Sequence, residues 1–131
     1  MNIVSDTNTF LAVVLEEPER ESIIKLSAGN EAIAPEILYY EAGNALSAMV
    51  KRKQLTHEEA LEAQKLIDLI PVRLLNVDIR ESLKIALKFN IYTYDAYFLQ
   101  CAINHSSPLL TLDKRMKQVA KELNIQLIEV T

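Results

Sequence analysis

Short stretches rich in aliphatic residues alternate with longer amphipathic stretches along this chain. The strand-like stretches are NIVS (2–5), AIA (32–34), VRLL (72–75), PLLT (108–111) and IQLIEV (125–130). Helical patterns lie between them at 8–16, 19–28, 36–52, 56–70, 79–89, 94–104 and 114–123. A helix between two strands returns the chain to the same end of the sheet, which favours parallel pairing. The alternation therefore predicts an α/β fold with a central, mainly parallel sheet of about five strands flanked by helices.

Local signals indicate where several of these helices begin and end. Thr56 and Glu59 have the spacing of a capping box, and Asp78 and Glu81 form a similar pair. Asn90 and Asn124 follow helical patterns directly, at positions where asparagine often ends a helix. The helix boundaries thus agree with the alternating pattern.

The chain has the length of one compact domain, and we expect a single domain over residues 1–131. No internal repeat and no linker rich in Pro, Gly or Ser divides it. Gly29 and Gly43 are its two glycines, so the sequence has no glycine-rich loop for a nucleotide phosphate. This argues against the dinucleotide-binding and P-loop classes of enzyme.

Charge and cysteine content narrow the choice of partner and compartment. The net charge of −4 and the pI near 5.2 argue against non-specific binding to nucleic acid. Cys101 is the single cysteine, so the chain offers no internal disulfide that would indicate an oxidising compartment. The sequence shows no apolar run long enough to span a membrane and no signal peptide. We therefore expect a cytoplasmic protein without a membrane partner.

Four acidic residues stand where a simple core or surface pattern does not explain them. Asp6 and Asp113 follow predicted strands, so both belong at the carboxyl edge of a parallel sheet, where α/β folds place ligands. Glu41 and Asp95 fall within the apolar faces of their predicted helices. The pattern predicts that the four carboxylates meet.

Each acid also has a purely structural explanation. Asp6 and Asp113 are natural N-caps, and Asp95 lies in a first helical turn that favours an acid. Glu41 could direct its carboxylate to solvent past small neighbours. Capping does not explain the interrupted apolar faces, however, and clustered carboxylates repel by about 1 to 4 kcal/mol per pair at ~4 Å. A cation or bound protons must relieve that repulsion, and Mg²⁺ or Mn²⁺ suits an all-oxygen site.

Four segments together resemble the acidic motifs of PIN domains. They are Asp6-Thr7-Asn8 after the first strand, Glu41 in YYEAGNAL, Asp95 in YTYDAYFLQCA and Asp113 in LLTLDKRM. The small size and the closing TLDKRMKQVAKELNI are most similar to the toxin ribonucleases of VapBC toxin-antitoxin pairs. The resemblance implies a three-layer α/β/α fold, Mg²⁺- or Mn²⁺-dependent cleavage of RNA, a homodimer and a small antitoxin partner.

The resemblance also assigns roles to residues. It implies that Asp6, Asp95 and Asp113 hold the metal, and that Glu41 joins them and helps to orient or deprotonate the attacking water. Four neighbouring polar residues could hold the carboxylates or metal-bound water in place. These are Thr7, Asn8, Asn44 and Thr111. Lys114 and Arg115 lie at the start of a helix, where cations oppose the helix dipole, so they are candidates for contacting RNA phosphate.

Two alternatives to a nuclease fit part of the pattern. A haloacid dehalogenase-like phosphohydrolase also uses an aspartate after its first strand, but it needs a second one at the position of Asn8. A non-catalytic PIN-like module would bind RNA or protein without cutting, and a missing motif acid would be its usual sign. All four acids are present, which ranks the nuclease first.

Overall fold

The structure is a computed structural model that describes residues 1–130, one residue short of the predicted 1–131 domain. Its strands are β1 (Asn2–Ser5), β2 (Glu31–Pro35), β3 (Arg73–Leu75) and β4 (Leu109–Leu110). Its helices are α1 (Thr7–Val14), α2 (Arg20–Ser27), α3 (Leu38–Lys51), α4 (His57–Leu69), α5 (Ile79–Phe89), α6 (Thr93–Asn104) and α7 (Lys114–Glu122). No helix within residues 1–130 is both long and apolar enough to cross a membrane.

The strands form one parallel sheet in the order β3-β2-β1-β4. Val4 in β1 is paired with Ile33 in β2 on one side and with Leu109 in β4 on the other. The prediction of an α/β fold built on a parallel sheet is confirmed.

Helices cover both faces of this sheet. Successive side chains of a strand point to opposite faces, so the apolar residues of β1 need a covering layer on each side. Val4 packs in a core with residues of α5, α6 and α7, including Phe89 and Leu99. Ile3, its neighbour in β1, packs in a separate core with Ala12 of α1 and Ile23 of α2. Burying an aliphatic side chain of this size stabilises the fold by roughly 1.5–3 kcal/mol. The three-layer α/β/α arrangement follows from this alternation.

The expected fifth strand is replaced by a single bridge, so the prediction of about five strands was wrong by one. Residues 125–130 run beside β4, where Leu109 pairs with Leu127 in parallel. Leu109 donates its N–H to the Gln126 carbonyl at 2.8 Å, and its carbonyl accepts from Ile128 at 3.0 Å. The ladder stops there because β4 has only two residues before the chain turns towards α7.

Most predicted helix boundaries are reproduced by specific contacts. Thr56 and Glu59 form the capping box, with both side chain to backbone hydrogen bonds present. Asp78 caps α5 through the Glu81 N–H, but the Glu81 carboxylate pairs with Lys84 instead of completing a box. Asn90 and Asn124 adopt the left-handed conformation, with φ of 54° and 59°. The expected stops after α5 and α7 are therefore confirmed.

The strand order places a crevice between the carboxyl ends of β1 and β4. From β1 the chain moves to β2 and then to β3 on one side of the sheet. It then crosses to the other side of β1 to form β4, so the direction of winding reverses between these two neighbours. Ligands of open α/β sheets bind outside the strand ends at such a switch point. Asp6 follows β1 here, and Asp113 lies three residues beyond β4.

Candidate active site

Asp6 is the most deeply enclosed acid of the site, with 4% of its surface exposed. It is the N-cap of α1, and its Oδ1 accepts hydrogen bonds from the Thr9 N–H at 3.0 Å and the Thr9 hydroxyl at 2.6 Å. Its Oδ2 accepts a short hydrogen bond from the Thr111 hydroxyl. Both oxygens are thus held by donors that come from two different segments.

Burial raises the pKa of Asp6 above its usual range, because the charged form loses contact with water. The hydrogen bonds from Thr111 and Thr9 lower the pKa, while the charge of Asp113 raises it further. The net direction is upward. A capping role accounts for one of the hydrogen bonds but not for the enclosure of this carboxylate.

Asp113 is the second acid at the sheet edge, and it is exposed. It caps α7 by accepting a hydrogen bond from the Met116 N–H at 2.9 Å. Its own N–H donates to the Thr111 hydroxyl oxygen at 3.1 Å, and that hydroxyl in turn donates to Asp6. Thr111 therefore connects the two acids that follow β1 and β4.

Glu41 reaches the site from the first turn of α3 and is half-buried. The Thr7 hydroxyl donates a short hydrogen bond to its Oε1. Burial raises the pKa of Glu41, the bond from Thr7 lowers it, and the charge of Asp6 raises it. The carboxylate predicted to point inward from this helix does approach the sheet edge.

Asp95 lies in the first turn of α6 and is also half-buried. Burial and the charges of Glu41, Asp113 and Asp6 together raise its pKa to about 6. Within residues 1–130, no hydrogen bond to its carboxylate offsets these effects. The Asp95 carboxylate therefore lies within electrostatic reach of the other three acids.

The donor set suits a hard divalent cation, although it does not form a ready-made metal site. In the described part of the chain, no three His, Cys, Asp or Glu side chains stand close enough together to ligate one ion. Burial and repulsion nevertheless raise the pKa of Asp6, Glu41 and Asp95, and the charge of Asp113 adds to the repulsion at Asp6 and Asp95. A divalent cation that retains some of its water would offset this repulsion.

The polar residues predicted to hold the acids fall into two groups. Thr7 and Thr111 donate to Glu41 and Asp6, respectively. Asn8 and Asn44 are exposed, and across residues 1–130 neither side chain hydrogen-bonds to an acid of the site.

Sequence reasoning missed Thr9, which is buried and bonded to Asp6 through both its N–H and its hydroxyl. The signal was present, because a hydroxyl residue stands three positions after an aspartate N-cap.

The two cations predicted to contact RNA differ in their surroundings. Arg115 donates from Nη2 to the Phe89 carbonyl at 2.6 Å, so it binds the last residue of α5. This contact explains Arg115 without an anionic ligand. Lys114 is exposed and makes no ion pair within residues 1–130.

Another cation lies beside the site: Arg52 lines a groove of about 440 Å³ that also reaches Asn8 and Asp113.

Residues 3–122 match the family described as PIN domain. Three solved structures share the fold at low sequence identity. PAE2754 from Pyrobaculum aerophilum is 20% identical, with a TM-score of 0.71 over 97% of this chain and 83% of that one. VapBC2 from Rickettsia felis, bound to a DNA fragment from their promoter, is 16% identical, with a TM-score of 0.71 over 100% of both chains.

VapBC-1 from nontypeable Haemophilus influenzae is 18% identical, with a TM-score of 0.66 over 98% of both chains. No curated protein matches the sequence. The family match spans nearly the whole chain, from β1 to the end of α7, and it includes all four acids. The chain belongs to the PIN domain family.

Proposed function

We propose that this protein is a metal-dependent endoribonuclease and the toxin component of a type II toxin-antitoxin pair. The observation that carries the proposal is the mutual repulsion of four carboxylates at the switch point of a PIN domain. Such crowding costs stability unless a ligand offsets it. A divalent cation would offset the charge and would also attract the phosphate of an RNA substrate.

We assign Asp6, Asp95 and Asp113 to holding Mg²⁺ or Mn²⁺, with Glu41 beside them. The bound metal would supply Lewis-acid polarisation of the scissile phosphate and a lowered pKa for the attacking water. Glu41, held by the Thr7 hydroxyl, is positioned to orient that water and accept its proton. Thr111 fixes Asp6 relative to the turn before α7, which keeps the acids from β1 and β4 in register.

The proposal includes partners that suit an acidic protein. The net charge of −4 leaves little general attraction for RNA, so binding would depend on the metal and on local cations such as Lys114 and Arg52. A small antitoxin and a second copy of the chain complete the proposed assembly, in the cytoplasm. The VapBC structures of similar fold support the antitoxin partner.

Cleavage of a panel of structured RNAs tests the proposal. We expect cutting with added Mg²⁺ or Mn²⁺ and none with EDTA. Asp6→Asn and Asp95→Asn should each lower the cleavage rate by at least about 100-fold, because each removes a metal-holding charge. Asp78→Asn is the matched control, since Asp78 also caps a helix but does not belong to the acidic cluster.

Metal-dependent cutting that survives in both Asp6→Asn and Asp95→Asn would refute the assignment of the site. An RNA that binds tightly to the wild-type protein and remains intact with either metal would favour the non-catalytic alternative.

A further inference from the structure

The hydroxyl of Thr9 is fully buried beside Asp6 and has two acceptors within reach. Its Oγ1 lies 2.6 Å from Asp6 Oδ1 and 3.2 Å from the Leu110 carbonyl oxygen. A hydroxyl carries a single proton, and a charged acceptor at the shorter distance holds it more strongly. The Thr9 hydroxyl therefore donates its hydrogen bond to Asp6 Oδ1.

This bond completes the hydrogen bonding of one Asp6 oxygen. An ionised carboxylate offers about four acceptor positions, two on each oxygen. Oδ1 already accepts from the Thr9 N–H and the Thr9 hydroxyl, so both of its positions are used. Within the described part of the chain, Oδ2 accepts from Thr111 alone, which leaves it one open position. The two oxygens of Asp6 are thus unequal, and Thr9 makes them so.

We propose that Thr9 is a positioning residue that fixes the Asp6 side chain in one rotamer and leaves Oδ2 as the oxygen available to a cation. This inference rests on the proposed metal-dependent function and assigns a part in it to a residue outside the four acidic positions. Thr9 acts from within the core, where 2% of its surface is exposed, and it does not contact the substrate.

Two variants separate the effect of the Thr9 hydroxyl from that of the rest of the side chain, and a third serves as a control. Thr9→Val keeps the shape and the backbone N–H cap but removes the hydroxyl, while Thr9→Ser keeps the hydroxyl. Thr56→Val is the control, because Thr56 caps α4 through its hydroxyl at an exposed position in another part of the fold. All three variants should be folded, as judged by circular dichroism and cooperative urea unfolding.

Mn²⁺ binding, measured by electron paramagnetic resonance of free Mn²⁺, is the first readout. We expect Thr9→Val to weaken binding by about tenfold, as for other residues that orient a metal ligand. Thr9→Ser and Thr56→Val should stay within about twofold of the wild type. Equal binding by Thr9→Val and the wild type would overturn the inference. So would equally weak binding by Thr9→Val and Thr9→Ser, because the hydroxyl would then not be the cause.

The second readout needs no metal and distinguishes this inference from the proposed function. Three-bond NMR couplings across the Asp6 Cα–Cβ bond report whether the side chain occupies one rotamer. We expect one rotamer in the wild type and Thr9→Ser, and averaging in Thr9→Val. A single unchanged rotamer in Thr9→Val would overturn the positioning role. Absence of Mn²⁺ binding in the wild type would instead refute the proposed function, while the couplings still decide the role of Thr9.

Discussion

Asp6 and Asp95 are both enclosed acids of the same site, but their surroundings differ. The Asp6 carboxylate at the β1–α1 turn is more buried, yet two threonines donate three hydrogen bonds to its oxygens. The Asp95 carboxylate at the start of α6 is less buried, yet it receives no hydrogen bond from the described residues and faces three like charges. Burial alone therefore does not indicate which carboxylate lacks hydrogen-bond donors to stabilise its charge.

The difference suggests a division between the two acids. The donors around Asp6 offset part of the burial that raises its pKa, and they hold the carboxylate in place before any ligand arrives, which suits a residue that anchors the site. The charge of Asp95 lacks such donors, so a cation would relieve more repulsion there than at Asp6. The following predictions test this contrast.

The largest effect on stability should come from the metal itself. A ligand that binds only the folded state at 100 times its Kd stabilises that state by about 2.7 kcal/mol. We expect Mn²⁺ to stabilise the wild type in urea unfolding by about this amount, and Asp95→Asn and Asp6→Asn much less. Equal stabilisation of all three proteins would show that Mn²⁺ binds elsewhere.

Without metal, the same two substitutions should change stability by different amounts. Asp95→Asn removes a repelled charge, so at pH 7.5 it should raise the free energy of unfolding by about 1 kcal/mol, after allowance for solvent screening. Asp6→Asn relieves a buried charge but also weakens three charge-assisted hydrogen bonds, so the two effects should largely offset each other and leave the free energy of unfolding within about 0.5 kcal/mol of the wild type. Urea unfolding in EDTA measures both values. An equal gain of stability in both variants would contradict the contrast.

The increase in the free energy of unfolding caused by Asp95→Asn should disappear at acidic pH. The pKa of Asp95 is raised from 3.8 to about 6 in the folded protein, so the folded state binds this proton more tightly than the unfolded state does. The wild type should therefore lose stability relative to Asp95→Asn as the pH rises through this range, by about 1 kcal/mol in total. Paired urea titrations from pH 4 to pH 7.5 measure the difference, and a gap that stays constant with pH would exclude Asp95 as its source.

The smallest effect concerns the neighbouring cations, which show a similar contrast. Arg115 donates to a helix carbonyl, so Arg115→Gln should cost about 1 kcal/mol of folding stability. Lys114 makes no ion pair within residues 1–130, so Lys114→Gln should leave stability unchanged within about 0.5 kcal/mol. Its effect should fall on RNA affinity, lowering the salt slope of binding by about 1. An unchanged salt slope would remove Lys114 from the RNA surface.

Local patterns predicted the fold and the positions of the acids, because both depend on short-range rules. Strand-like and helical periodicities predicted the parallel sheet, and the interrupted apolar face around Glu41 predicted an inward-directed carboxylate. The missing fifth strand depended on the length of β4, which is set by the turn at Thr111 and Asp113 and not by strand propensity. Long-range partners were equally hidden, such as the Arg115 contact with Phe89.

The single bridge beside β4 makes residues 125–130 a support for the sheet edge that carries Asp6 and Asp113. Gln126 and Ile128 supply the two backbone hydrogen bonds that hold Leu109 from its outer side. A protein shortened before Gln126 would leave β4 as an unprotected edge, joined to the rest of the sheet through β1 alone. Thr111 would then follow a loosened strand. Removing the residues from Gln126 onward, although they are distant in sequence from Asp6, should therefore loosen the acidic site before it unfolds the protein.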